Sequence, residues 1–236
     1  MRNFILFIFC LLNIHSLTAQ RVHLELLGGP GFTSLSNSNP NASSISVNSF
    51  STMGELVGFG VLVSDSATEM YGFNAQLNYA FHNQKYEAGS GITSFYSKIK
   101  LNYLDIPLLF HYGSTLGPFF EIGPQFSFLM SAKEDATFNN QQIEFSKDYS
   151  GDFNSLLIMG DVGLGVNVYI AKHVTFNWDF RFSYGFLDAV DQNSDLGDHS
   201  VPYYIATSSG QYSRGKYYST TRMSLSILGN LLFEIP

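Results

Sequence analysis

Val174-Thr175-Phe176-Asn177-Trp178-Asp179-Phe180-Arg181-Phe182-Ser183-Tyr184-Gly185-Phe186 alternates without a break between apolar, mostly aromatic residues and polar or small ones. A period of two is the signature of a β-strand with one greasy and one polar face. At thirteen residues the stretch exceeds the roughly 9 to 11 that a tilted strand needs to cross a bilayer, whereas a strand of a soluble sandwich runs about 5 to 6. Its reading is a membrane-crossing strand, with the aromatic side toward lipid.

Composition agrees. Aromatic residues make up 16% of the chain and charged residues only 13%, about half the share usual in soluble proteins. Phe4 to Leu12 is an apolar run behind Arg2 that leads to Leu17-Thr18-Ala19, so residues 1–19 read as a secretory signal peptide cut before Gln20. Its loss takes the formal charge from −7 to −8, which argues against nucleic acid as a partner. Cys10, the single cysteine, leaves with it, so the exported chain has no thiol chemistry. No later window is apolar enough for a spanning helix. Residues 20–236 then form one domain.

Outward from the quoted stretch, seven further strands follow the same rule. They lie at 22–32, 53–63, 71–81, 99–112, 120–130, 156–170 and 223–233. In the fourth, apolar Ile99, Leu101 and Tyr103 give way to Leu104, Ile106, Leu108, Phe110 and Tyr112, a change of parity that a one-residue bulge at Tyr103-Leu104 would produce. Folding the next hairpin about Thr115 puts Pro107 nearly opposite Pro124, and pairing should break there because proline has no N–H to donate. Long polar connections (35–52, 83–96, 131–153, 187–219) alternate with short ones (64–70, 113–117, 171–173). That asymmetry is expected of an all-β, eight-stranded antiparallel up-and-down transmembrane β-barrel in a bacterial outer membrane, with long loops outside.

The run Tyr103-Leu104-Asp105-Ile106-Pro107-Leu108-Leu109, together with a glycine-rich first strand after a leader ending Ala19-Gln20, resembles the PorT-like outer-membrane β-barrel family. The resemblance implies an eight-stranded outer-membrane barrel, and most of that family has no assigned activity. One departure stands at the C-terminal end, where Phe233 is followed by Glu234-Ile235-Pro236 instead of closing the chain on an aromatic residue. It places the signal for the periplasmic assembly machinery at an internal or shifted position.

Candidate chemistry is sparse. Barrel enzymes that act on lipid A by acyl transfer or deacylation need His with Ser near the outer rim. None of His23, His82, His111, His173 or His199 has a Ser two residues away, and only His82 falls at an outer strand end, where it caps a polar face. Asp188, Asp191, Asp195 and Asp198 lack the glycine and terminal glutamate of a calcium loop and read as solvated loop acids. Neither a catalytic residue, a metal ligand nor a cofactor is expected. The polar strand faces carry Glu25, Asp105, Glu121, Asp161, Asp179 and Glu234 with Lys98, Lys100, Arg181 and Arg222. In a barrel just wide enough for side chains to fill, these charges form a structural lumen network that plugs the interior. A three-residue turn at 171–173 sets Gly163 opposite Arg181 and Gly165 opposite Asp179, and makes Asp161 the expected ion-pair partner of Arg181.

Function is then expected to be structural or surface-binding, non-enzymatic, with outer-membrane lipid around the barrel and an unidentified extracellular ligand at the loops. Two other readings stand beside it: a lipid-modifying barrel enzyme, and a soluble secreted carrier that holds a small apolar ligand inside. The carrier leaves the one-sided loop pattern unexplained.

Overall fold

The computed structural model describes residues 20–36, 47–65, 70–90, 93–114, 116–193 and 219–235. The expected signal peptide at 1–19 and His199, Asp195 and Asp198 lie outside them. The described residues form nine strands: β1 (Gln20–Ser36), β2 (Val47–Asp65), β3 (Tyr71–Ser90), β4 (Thr93–Gly113), β5 (Gly117–Phe138), β6 (Gln141–Asp148), β7 (Leu156–Ala171), β8 (Val174–Gly185) and β9 (Thr221–Ile235). Eight close a ring in the order β1-β2-β3-β4-β5-β7-β8-β9, with β9 returning to β1, and every contact is antiparallel. β6 stands outside the ring and pairs only with β5.

The expected polarity holds. Phe176, Trp178, Phe180, Phe182 and Tyr184 are on the outside, while Asn177, Asp179, Arg181 and Ser183 between them are buried within. On β3 the outward residues from Tyr71 to Phe81 stay apolar over ten residue steps. At about 3.3 Å per step and about 40° of tilt this band is about 25 Å tall, the height of a bilayer's apolar layer.

Several sequence-based expectations are corrected. The connections at 83–96 and 131–153 are not open loops: β3 and β4 run on past the apolar band to Ser90 and from Thr93, and β5 continues to Phe138 before turning through Asn139 and Asn140 into β6. β2 likewise starts at Val47, inside the expected 35–52 loop. The β7–β8 turn has two residues, Lys172 and His173, with Ala171 opposite Val174 and a register shift after Tyr169. The left-handed φ of 63° at His173 makes so short a turn possible.

β4 does not change parity. Ile99, Leu101, Tyr103, Asp105, Leu109 and His111 all point inward, and the extra residue is in β5, where Asn102 pairs with Ser131 but Tyr103 with Leu129, leaving Met130 over. Strand length alone does not say where the bilayer ends, so sequence pattern assigns the apolar run at 99–103 to lipid. Above it, an inward apolar residue meets other protein. Leu35, Tyr86, Ile99, Leu101, Tyr103, Leu157 and Met159 accordingly form an apolar core in the part of the barrel away from the short turns.

That core is roofed. A 3₁₀ turn at Ser150–Asp152 brings Tyr149 and Phe153 over it, and Ala189 and Val190 come from the far side. Phe153 bridges to Val190, the Asn154 N–H donates to the Ala189 carbonyl at 3.0 Å, and the Asp191 N–H to the Asp152 carbonyl at 2.9 Å.

Proline does interrupt the sheet. The β4–β5 ladder lapses beyond Pro107, which is opposite Gln125, and resumes at Phe110–Ile122, so the hairpin turns about residue 116 and not 115. A second lapse separates Gly28–Gly229 from Gly31–Ser226 in the β1–β9 ladder, beside Pro30. In the ring these two seams lie opposite each other, dividing it into β1–β4 and β5 with β7–β9.

Candidate functional site

The lumen between the two halves holds most of the predicted charged residues, and the side chains reach across it. Arg181 enters from β8 opposite Gly163, as the register argument required. Its guanidinium donates to Gln76 at 2.6 Å, Glu121 at 3.0 Å and Asp179 at 2.6 Å. Glu25 accepts from Asn74 at 3.1 Å, Gln76 at 2.8 Å and Asn230 at 2.9 Å, and the Asn74 amide also donates to Glu121 at 3.0 Å. His111 Nδ1 lies 3.0 Å from Glu121, its ring stacked on Phe119.

A second node sits nearer the apolar core. Arg222 of β9 meets Asp105 of β4 with both terminal nitrogens, at 2.9 and 3.4 Å, and His82 Nε2 at 2.5 Å. Its guanidinium lies 4.2 Å from the centre of the Tyr103 ring, a cation–π contact. Nδ1 of His82 is hydrogen-bonded to Thr33 Oγ1. Both nodes join strands on opposite sides of the two seams.

Three predicted members fall elsewhere. Glu234 is at the short-turn rim of the barrel, partly exposed, with Arg21 at 3.4 Å and His173 at 2.9 Å. Lys98 and Lys100 project outward above the apolar band, because the inward positions of that part of β4 are Ser97, Ile99 and Leu101. The Arg181–Asp161 pair is not formed either. Asp161 is buried opposite Gly123 and Ser183, with neither carboxylate oxygen hydrogen-bonded to a donor, because Asp179 and Glu121 reach the guanidinium instead. Asp161→Asn should therefore leave the urea unfolding midpoint in lipid vesicles within about 1 kcal/mol of the parent, or raise it, since the change removes a buried charge and no ion pair. A loss above about 2 kcal/mol would mean that Asp161 does hold the structure through its charge.

Asn74, Gln76, His82, Tyr103, His111 and Asn230 complete the network and were not among the expected members. All but Tyr103 were legible as polar residues at inward positions of their strands. Tyr103 was hidden by the parity error on β4.

Thr33, His82 and Asp105 follow one another like a nucleophile, base and acid, but their protons run the wrong way. A guanidinium only donates, so His82 Nε2 accepts from Arg222, and Nδ1 carries the hydrogen and donates to Thr33. A general base would have to turn a lone pair to that hydroxyl. Asp105 is 3.9 Å from His82 and is already engaged by Arg222.

Of the loop acids, Asp188 accepts from the Val190 and Thr220 N–H groups at 3.1 and 2.9 Å, and Asp191 from Asn193 at 2.9 Å, as turn-forming carboxylates do. Among the described residues no three His, Cys, Asp or Glu side chains gather as metal ligands would.

A closed antiparallel ring with an apolar outside and a polar inside defines a membrane β-barrel. Residues 16–191, about three quarters of the chain, match the sequence model of the outer membrane protein beta-barrel domain, and the chain belongs to that family. Its place is the outer membrane of a Gram-negative cell. No curated protein matches the sequence. Among solved structures, Neisserial surface protein A is 12% identical with a TM-score of 0.42, covering 91% of this chain and 97% of its own. AlkL, determined in lipid bilayers, is 12% identical at 0.40, with 92% and 91% covered. OprG from Pseudomonas aeruginosa is 10% identical at 0.34, with 92% and 97% covered.

Proposed function

We propose that this protein is a closed, non-enzymatic outer-membrane barrel, with a structural or surface-binding role carried by the part that stands above the lipid. The observation that carries the reading is the filled lumen: two guanidinium nodes span it, and an apolar core with its roof lies above them. An ion path would need a continuous file of water, and side chains of an eight-stranded barrel are large enough to close one. What remains for recognition is the surface beyond the bilayer, which here includes the β3–β4 and β5–β6 extensions. Within the family we place the chain in the PorT-like branch. Its Tyr103-Leu104-Asp105-Ile106-Pro107 run has a physical reading that supports this: Tyr103 and Asp105 build the Arg222 node, and Leu104 and Ile106 face lipid.

Planar-bilayer recording tests the closed state. Heat-modifiable, folded protein should give no discrete current steps at either polarity. Reproducible unit steps that disappear when the protein is boiled would overturn it.

A further inference from the structure

Twice in adjacent rows the sheet sets lysine directly opposite lysine. Lys85 of β3 faces Lys98 of β4, and Lys100 of β4 faces Lys133 of β5. All four point outward, because Gln84, Tyr86, Ser97, Ile99, Leu101, Ala132 and Glu134 occupy the inward positions between them. Like charges facing each other across a ladder destabilise a sheet, so the arrangement calls for a counter-anion.

The protein's own acids supply part of it. Lys100 pairs with Asp135 at 2.5 Å, and it alone of the four has a carboxylate within 4 Å among the described residues. Asp148 is opposite Lys133, and Glu87 lies two residues beyond Lys85 on the same face. Lys85 lies 5.8 Å from the centre of the Tyr96 ring. Four ammonium groups thus share a surface with three carboxylates: Asp135 stands opposite Lys98 while bound to Lys100, Asp148 lies out on β6, and Glu87 lies higher on β3, so Lys85 faces Lys98 with no acid across from it on β4.

Height decides what covers them. Phe81 and Leu104 end the apolar band on β3 and β4, and the bulged Met130 ends it on β5; beside Met130 Asn102 and Ser131 are joined by a 3.0 Å hydrogen bond, and the lysines stand immediately above. Hydrocarbon, then amide and hydroxyl, then cation is the order in which acyl chains, linkages and phosphates succeed one another in a lipid leaflet. We propose that Lys85 and Lys98, with Lys100 and Lys133 beside them, form a seat for the phosphate groups of an anionic glycolipid of the outer leaflet. The seat rests on the outer-membrane placement and deepens the surface-binding reading. It does not need the lumen to be closed.

The test uses the whole protein, refolded in neutral micelles, and titrates it with bisphosphorylated lipid A and with the same lipid after phosphatase treatment, scoring lipid occupancy by native mass spectrometry. The parent should prefer the phosphorylated form at least ten-fold. Lys85→Gln with Lys98→Gln should lose that preference, Lys85→Arg with Lys98→Arg should keep it, and Lys147→Gln with Lys172→Gln should leave it unchanged. Equal binding of the two lipids by the parent would overturn the proposal, and so would full preference in the double glutamine variant. Inorganic phosphate that displaces the lipid at comparable concentration would assign the lysines to free phosphate and reject the lipid. A heat-modifiable, non-conducting parent separates any of these failures from failure of the closed-barrel reading.

Discussion

Arg222→Met should lower the stability of the folded barrel by about 3–5 kcal/mol, seen as a fall in the urea midpoint in lipid vesicles and in the boiling temperature that unfolds it on a detergent gel. The magnitude follows from what the arginine leaves behind. Asp105 is 1% exposed and receives both terminal nitrogens of Arg222, and His82 turns its Nε2 lone pair to the same group. Without the guanidinium, a buried carboxylate has lost its cation and an imidazole its donor, while Tyr103 loses the charge stacked on its face. Removing one partner of a buried pair is far more damaging than removing both. Arg222→Met combined with Asp105→Leu should accordingly recover most of the loss. If the double variant is no better than the single one, the node is not acting as an ion pair, and the two seams are held together by something else.

Gly29→Ala should block assembly of the barrel. A Cβ at Gly29 would sit 2.0 Å from the Ile227 carbonyl oxygen, a backbone atom that no side-chain rotation can clear. This is where β1 and β9 close the ring and where the ladder already lapses beside Pro30, so the strands have few hydrogen bonds with which to hold a shifted register. Overpacking of a fixed neighbour costs about 1–3 kcal/mol, and at the closing pair it also raises the barrier to sealing the sheet. The expected result is a reduced heat-modifiable fraction after refolding, with Gly151→Ala, whose added Cβ meets nothing within 4 Å, as the unaffected control. Parent-like yields for Gly29→Ala would show that β1 and β9 separate easily at this point.

Much of this molecule was legible before folding. Strict alternation in β3 and β8 implied both a sheet and its sidedness, and the polar parity of Glu25, Asp179, Arg181 and Arg222 placed them inside. Register was legible only in part: Gly163 is opposite Arg181 as expected because the register shift after Tyr169 offsets the shorter β7–β8 turn, whereas the β4–β5 hairpin turns one residue later than expected. Partners within the lumen were not legible. Arg222 meets Asp105 from 117 residues away, and Arg181 meets Gln76 from 105. Which acid reaches a guanidinium depends on the tilt and closure of the whole ring, and that is why Asp179 and Glu121, not Asp161, hold Arg181.

Sequence by itself determined that the chain is a long-stranded antiparallel sheet with one apolar and one polar face, and strand length with the one-sided loop pattern set a membrane barrel ahead of a soluble carrier. Tertiary structure alone decided where the bilayer stops along each strand. Alternation is blind to height: an apolar residue on an outward position meets lipid, while Leu101 and Tyr103, equally apolar, point inward beneath a roof built from residues 149–153 and 189–190. The lysines of β4 went to the wrong side for the same reason, since parity becomes a statement about surroundings only once the bulge near Met130 and the closure of the ring are in place.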